Sequence, residues 1–272
     1  MHETDLEMGA SLGNSSVWVN TKSSGAIERV FSLELGKCLI NSILLRYGCT
    51  GSALGAEPDA KAHASSVMRY IGLNRDAPAQ VEIHPAYQRR TFCLGGAISV
   101  TETVFVALTQ QRHDTPIAYM QVDIHNTDSI AHDLRVMCFA RLRGDFNKDV
   151  EARYEPSVRG LIAYNKSQPE AVRIFGLDAE PKAYSTTFDY GTVYDRSHVH
   201  PLSNDTTATG DILGALQLDI SLRPNRSRKF CLKAGVYAGG QRAAIKAYKK
   251  AADCDSALVQ TIDYIEHIVH RA

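Results

Sequence analysis

The sequence predicts a mainly β protein: one large two-sheet antiparallel sandwich followed by a short helical tail. Apolar and polar residues alternate with period two in many segments between Ser15 and Val236, which is the signature of half-buried strands. Turn residues separate these segments, and hardly any helical periodicity lies between them. With about a dozen strands to cover, two packed sheets are the economical way to bury the apolar faces.

Alternation is clearest in segment 134–143, where one face carries only apolar residues: Leu134, Val136, Cys138, Ala140 and Leu142. The opposite face mixes arginines with Met137 and Phe139. We therefore expect the first face to point into the core. The other predicted strands are 17–21, 27–35, 43–47, 81–83, 91–94, 98–108, 120–125, 161–165, 172–176, 184–189, 216–222 and 230–236.

Two short turns predict β-hairpins. Residues 126–128 reverse the chain before strand 134–143, and residues 223–226 reverse it between strands 216–222 and 230–236. Because strands joined by short turns usually pair with each other, we expect an antiparallel meander. Segments 51–79 and 190–210 sustain no alternation and are predicted to be long surface loops.

The pattern changes after Gly239 and Gly240. Residues 241–252 are rich in Ala and Lys and predict a helix. Asp255 or Ser256 can cap a second helix, whose apolar stripe consists of Leu258, Ile262, Ile265 and Val269. We expect a sandwich over 1–240 and a helical tail or linker over 241–272. The tail either packs back on the sandwich or docks on something outside these 272 residues.

Composition limits the class of partner. The 272 residues include 30 Lys and Arg and 30 Asp and Glu, so no basic surplus attracts nucleic acid or anionic lipid. No apolar stretch approaches the ~20 residues of a membrane span, and the polar start is unlike a signal peptide. We expect a soluble, cytoplasmic protein. The six cysteines form no CxxC pair, so we expect buried, reduced thiols, no metal and no cofactor.

The sequence contains no strong catalytic motif such as GxSxG, GxGxxG, a P-loop or HExxH. No catalytic residue is therefore assigned. Three weak acid/base candidates are left. Glu102 interrupts an otherwise apolar strand face, which suggests either a buried polar network or a base. His198 and His200 would share one face of a strand, although a solvated loop is the favoured interpretation.

The densest polar run contains seven candidate interface or sugar-contacting residues: Arg141, Arg143, Asp145, Asp149, Glu151, Arg153 and Tyr154. These groups could hold sugar hydroxyls or form an interdomain salt-bridge network, and we favour the network. A sugar platform usually needs exposed aromatic rings. The single Trp18 lies between two valines in a strand, which predicts packing in the core.

Several stretches resemble the N-terminal β-supersandwich of bacterial glucoamylase-like, family 15-type enzymes and related carbohydrate-processing enzymes. The longest is FARLRGDFNKDVEARYEPSVRGLIA at 139–163, and the opening LGNSSVWVNTKSSGAIERVFS is similar to the start of such domains. IHPAYQRRTF, VTETVFV and TGDILGALQL add shorter matches. The resemblance spans most of the chain and implies a supersandwich of galactose-mutarotase-like architecture.

In that family the sandwich precedes helical linkers and an (α/α) barrel that carries the catalytic carboxylates. No such barrel fits this sequence, so those carboxylates transfer to no residue here. The resemblance implies a non-catalytic accessory domain of a glycoside hydrolase or phosphorylase type enzyme, packed on a helical-barrel domain or subunit. Alternatives are a freestanding aldose epimerase, with a His acid and a Glu base, and a carbohydrate-binding module. Exposed strand edges make a homodimer plausible.

Overall fold

The computed structural model describes residues 9–50, 68–70, 79–108, 115–145, 149–187 and 202–270. The first ten strands are β1 Ser11–Gly13, β2 Val17–Thr21, β3 Ile27–Ser32, β4 Lys37–Thr50, β5 Met68–Tyr70, β6 Gln80–His84, β7 Tyr87–Leu94, β8 Ile98–Val106, β9 Ile117–Asn126 and β10 His132–Arg141. The next seven are β11 Val150–Glu155, β12 Gly160–Asn165, β13 Ala171–Leu177, β14 Ala183–Ser185, β15 Thr207–Gly210, β16 Leu213–Leu222 and β17 Ser227–Ala238. Two helices follow, α1 Gly240–Lys250 and α2 Cys254–Val269.

The strands form two antiparallel sheets, which confirms the predicted fold class. Sheet A has the order β1-β2-β3-β4-β10-β16-β14, with β5 also paired to β4. Sheet B has the order β15-β11-β12-β13-β17-β9-β8-β7-β6. The strands β1 to β4 and β6 to β9 follow each other as meanders. The homodimer expected from exposed strand edges stays a prediction.

The main core lies between the two sheets. On β10 it takes the face that the alternation predicts, with Leu134, Val136, Cys138 and Ala140 all buried. Valines and isoleucines of β2, β4 and β8 meet these residues from both sides of the sandwich. The period of two in the strands therefore decides which residues enter the core.

The two predicted hairpins are wrong. Strands β9 and β17 pair with each other in sheet B, whereas β10 and β16 pair with each other in sheet A. The short turns at 126–128 and 223–226 thus carry the chain from one sheet to the other. Asn126 joins these two corners, because its Nδ2 donates to the carbonyl oxygens of Ile130, Leu222 and Arg223 at 2.7, 3.2 and 3.2 Å. Alternation cannot separate a hairpin from such a corner, since both reverse the chain and keep one face buried.

Four short or polar strands, β1, β5, β11 and β15, were not among the predicted strands. Strand β15 lies inside the predicted loop 190–210, and β5 lies inside the predicted loop 51–79. Strands β1 and β11 have no long apolar pattern, and pairing with a neighbouring strand defines them instead. Residues 51–67, 71–78 and 188–201 lie outside the described residues.

The helices form a third layer on the outer face of sheet B. Ala244, Tyr248, Ala257 and Leu258 are buried against aromatic and aliphatic residues of that face. Asp253, rather than Asp255 or Ser256, caps α2, since its side chain accepts the Ser256 N–H at 3.0 Å from an extended backbone. A cap must precede the first helical residue, and Cys254 already is helical.

Two cysteines also fasten the helices. Cys231 on β17 and Cys254 at the start of α2 form a disulfide, with their Cα atoms 6.2 Å apart. The expectation of six reduced cysteines is therefore wrong for this pair, whose spacing of 23 residues gives no motif. Cys38, Cys49 and Cys138 are free and buried as expected. Disulfides are typical of oxidising compartments, and the cytoplasmic location stays a prediction.

Trp18 lies outside the core, contrary to the prediction. Its indole is 45% exposed, while Val17 and Val19 on either side of it are fully buried. Because successive side chains of a strand point to opposite faces, Trp18 cannot point to the same face as Val17 and Val19. Both valines point into the core, so the indole points outward. The indole contacts the edge of Phe31 on the outer face of sheet A.

Close packing of α1 on β13 requires a glycine at position 176. A Cβ at Gly176 would lie 2.7 Å from the Tyr248 hydroxyl and 2.6 Å from the Val158 carbonyl oxygen. We expect Gly176→Ala to lower the free energy of unfolding by about 1–3 kcal/mol, as overpacked buried sites do. Denaturant titration followed by circular dichroism measures this loss. Gly239→Ala is the control, because its Cβ would meet only the Ala243 Cβ at 3.4 Å, and an equal loss in both variants would contradict the explanation.

Candidate functional site

The polar run at 141–154 divides between the two sheets. Arg141 ends β10 on the outer face of sheet A, where Asp211 accepts hydrogen bonds from its Nε and Nη2. Arg143 donates to the same carboxylate at 3.4 Å. The Arg141 guanidinium lowers the pKa of Asp211, so that the carboxylate stays charged between its two arginines. Asp211 lies far along the sequence from both and was not among the predicted site residues.

Asp145 and Asp149 stabilise turns. The Asp145 carboxylate accepts the Cys38 N–H at 2.8 Å, and the Asp149 carboxylate accepts the Ser167 N–H at 3.1 Å. The first bond satisfies a backbone donor at the start of β4, and the second satisfies one in the connection between β12 and β13. Both residues thus fix the path of the chain at the end of the sandwich where the polar run crosses between the sheets.

Glu151 and Arg153 lie on β11 and face outward from sheet B. Glu151 accepts the Tyr164 hydroxyl and pairs with Lys166 at 3.2 Å, and these bonds lower its pKa. Arg153 pairs with Glu155 at 2.5 Å and reaches Gln241 at the start of α1 at 3.4 Å. An open cleft of 670 Å³ lies beside this contact. Its lining is Arg153, Pro169, Glu170, Gly239, Gly240, Gln241, Arg242 and Ile245.

Tyr154 closes the edge between the sheets. Its ring stacks on Tyr184 of β14, with centroids 3.8 Å apart, and its hydroxyl donates to Glu180 at 2.9 Å. Burial, followed by the hydrogen bond to Glu180, raises the pKa of Tyr154. The seven residues of the run therefore do not form one cluster. Each residue contacts a partner among the described residues.

Glu102 is buried between the sheets. The Tyr47 hydroxyl donates to its Oε1 at 2.7 Å, and Arg90 lies 3.6 Å from its Oε2. The turn between β2 and β3 covers the carboxylate, because a Cβ at Gly25, whose φ is +83°, would lie 2.4 Å from Oε2. Burial raises the pKa of Glu102, and Arg90 offsets part of this rise. The arrangement is a closed polar network inside the core.

His198 and His200 lie outside the described residues. Within the described part of the chain, no group of three or more His, Cys, Asp or Glu residues is arranged to hold a metal ion. Neither helix of the described residues combines the length and the apolar character that crossing a membrane requires.

The apolar stripe of α2 is buried in the first turns of the helix and exposed in its last turn. Thr261 is buried and accepts the Leu108 N–H at 3.0 Å, near the end of β8. Ile262 and Ile265 are half-buried, and the last turn leaves Ile268 46% and Val269 64% exposed. Because Ile262, Ile265 and Val269 follow helical spacing, the exposed residues continue the face that docks on sheet B. We call Ile268 and Val269 the α2 overhang.

No protein-family model matches the sequence, and no curated protein sequence matches it. Solved structures do match its fold. A bacterial glucoamylase complexed with acarbose matches with a TM-score of 0.60 at 14% identity, over 94% of this chain and 38% of the glucoamylase chain. This chain therefore spans less than two fifths of that enzyme.

Single-domain proteins share the fold as well. A galactose mutarotase-like protein from Lactobacillus casei matches with a TM-score of 0.50 at 9% identity, over 85% of this chain and 100% of that chain. A candidate aldose 1-epimerase from Escherichia coli gives 0.51 at 9% identity, over 85% and 99%. The chain has a galactose-mutarotase-like supersandwich fold, as the resemblance implied, and its structural neighbours are carbohydrate-active enzyme domains and epimerase-like proteins.

The Glu102 network predicts a specific stability pattern. Glu102→Ala leaves Tyr47 and Arg90 buried without their acceptor, and we expect a loss of about 3–5 kcal/mol in the free energy of unfolding. Glu28→Ala removes a surface pair with Lys22 and should cost less than about 1 kcal/mol. Urea titration of both variants measures the difference. Equal losses would show that Glu102 is not held as described.

The raised pKa of Glu102 also predicts a pH dependence. The folded state retains a proton that the unfolded state releases near pH 4.3, so folding is weakened as the pH rises above that value toward the raised pKa. We expect Glu102→Gln to remove this part of the slope, because the amide does not titrate and its oxygen still accepts from Tyr47. Unfolding free energies at several pH values test this, and identical slopes for both proteins would contradict it.

Proposed function

We propose that this chain is a non-catalytic accessory sandwich of a carbohydrate-active enzyme, of glycoside hydrolase or phosphorylase type. In this proposal the sandwich at 1–240 packs on a separate helical-barrel catalytic domain, and the tail at 241–272 connects the two. The α2 overhang carries the proposal, because it leaves Ile268 and Val269 exposed on the side of α2 that is buried against sheet B earlier in the helix. Apolar residues that continue a docking face are typical of an interface.

Two further observations support the proposal. The match to the glucoamylase covers nearly all of this chain but only 38% of the enzyme, which leaves the larger part of that enzyme outside the sandwich. The Arg153 to Gln241 contact and the disulfide also hold the helices firmly on sheet B. A fixed helical layer can transmit a defined orientation to a neighbouring domain.

The α2 overhang can be tested with the helical domain itself. The DNA adjoining the coding sequence is read for a helical-barrel domain, in the same frame or in an adjacent gene, and the two parts are co-expressed as separate chains. We expect co-purification, and at least about tenfold weaker association for Ile268→Glu with Val269→Glu, since both charges would be buried in the interface.

Val259→Glu is the matched control. Val259 is 56% exposed, and the helical rotation of 100° per residue places it on the opposite side of α2 from Thr261. The Val259→Glu variant should bind the helical domain as tightly as the unchanged protein does. If no helical domain adjoins the gene, or if the overhang variant associates normally, the proposal is overturned.

The second candidate is a freestanding aldose epimerase. It is favoured by the similarity to single-domain mutarotase-like proteins, whose chains are matched almost completely. Such an enzyme would need an acid and a base that the sugar can reach, whereas the Glu102 side chain is buried in the core. The histidines of this candidate are His198 and His200.

Polarimetry separates the two candidates. We expect the protein to leave the mutarotation rates of fresh α-D-glucose and α-D-galactose at their values in buffer, because no catalytic residue is assigned to this chain. If the protein accelerates mutarotation and His198→Ala or His200→Ala loses this acceleration, the epimerase function would be supported and the accessory role would be rejected. Glu28→Ala serves as the control for unspecific loss.

A further inference from the structure

The outer face of sheet A carries an aromatic pair that the fold leaves exposed. Trp18 on β2 is 45% exposed and meets the half-buried Phe31 on β3 edge to face, with ring centroids 6.4 Å apart. The indole N–H has no hydrogen-bond partner among the described residues. Neither ring belongs to the core, since Val17, Val19 and Val30 occupy the core-facing side of the same strands.

A row of polar side chains runs beside this pair. Ser11, Asn20, Arg29 and Asn41 are direct cross-strand partners on β1, β2, β3 and β4, and Arg141 on β10 continues the row. At about 4.8 Å between strands the five positions span about 19 Å. Trp18 and Asn20 are two residues apart on one strand, so the aromatic pair lies about 6.6 Å from the row. We call these seven residues the sheet A platform.

Three residues of the polar row, Asn20, Arg29 and Asn41, have polar groups without a hydrogen-bond partner among the described residues. Asn20 accepts the Ser11 hydroxyl at 3.1 Å, and its amide N–H groups have no partner among the residues that the structure describes. Arg29 is exposed and makes no hydrogen bond or ion pair with a described residue. Within the described part of the chain, the Asn41 side chain makes one contact, from its Nδ2 to the Cys38 sulfur at 3.6 Å, and its carbonyl oxygen has no donor there.

This combination fits an oligosaccharide. A pyranose ring presents C–H groups on its face and hydroxyls around its edge, and these match an indole face beside amide donors and acceptors. Three of the first four row positions are uncharged, and Arg141 at the fifth pairs with Asp211, which Arg143 also contacts. The uncharged amides and hydroxyl that make up most of the row suit the hydroxyls of a neutral ligand. The straight course of the row over five strands favours an extended chain rather than a single sugar.

We propose that the sheet A platform binds a neutral oligosaccharide, with Trp18 stacking on a sugar ring and Asn20, Arg29 and Asn41 bonding its hydroxyls. The choice of a saccharide rests on the proposed carbohydrate-active function. The site itself is independent of the helical interface, because the platform is on sheet A and the helices cover sheet B. The sandwich would then hold the glycan chain on the face opposite its catalytic partner's docking helix.

The single tryptophan makes the test direct. Maltohexaose, cellohexaose and mannohexaose are titrated into the full chain while Trp18 emission is followed, and calorimetry repeats each titration. We expect at least one oligosaccharide to change the emission saturably. Trp18→Ala should weaken that binding at least about tenfold, Trp18→Phe should restore part of it, and Asn20→Ala with Arg29→Ala should weaken it severalfold.

Two controls limit the interpretation. Ile83→Ala removes an exposed apolar side chain from β6 of sheet B and should bind as the unchanged protein does. Sorbitol, at matched hydroxyl concentration, lacks a ring face and should leave the emission unchanged. Near-identical melting temperatures for the variants show that they fold, as expected for substitutions on an exposed face.

The outcomes also separate this inference from the accessory role. If no oligosaccharide binds, if sorbitol acts equally, or if Trp18→Ala binds normally, the platform is not a saccharide site. Loss of co-purification with the helical domain in Trp18→Ala, without saccharide binding, would identify a protein interface instead and overturn the inference. The α2 overhang variant should keep its oligosaccharide binding, so either proposal can fail without the other.

Discussion

Sheet B must be buried on both faces, and much of the molecule follows from this requirement. Every residue of β13 is buried, and β9 and β17 are buried along most of their lengths. Sheet A covers one face of these strands and cannot reach the other. The helices α1 and α2 supply that third layer, and Lys233, which donates to the Ala252 carbonyl oxygen at 3.1 Å, helps to hold it.

This layering separates the surfaces that remain for other molecules. The outer face of sheet B is occupied by helices, so a molecule that docks on this side would meet the helices or the cleft beside Gln241. The outer face of sheet A bears no helix among the described residues, and its β1 to β3 region keeps Trp18 and Arg29 exposed. A partner domain and an elongated ligand can therefore occupy opposite sides of the sandwich.

Strand geometry also explains why a dense polar run forms no single site. Neighbouring residues of a strand point to opposite faces, so Arg153 reaches α1 while Tyr154 stacks between the sheets. Arg141 stays with sheet A, where its partner Asp211 comes from the chain before β16. Charges that are adjacent in sequence thus acquire partners that only the pairing of strands brings close.

The sequence by itself determined the two-sheet class, the core face of β10 and the apolar stripe of α2, because local alternation and helical spacing record which side is buried. Tertiary structure alone decided that β9 and β10, like β16 and β17, lie in different sheets, that Cys231 meets Cys254, and that Trp18 is exposed. These outcomes depend on contacts between distant segments. A periodic pattern gives the side that each strand buries and carries no information about the segment that it meets.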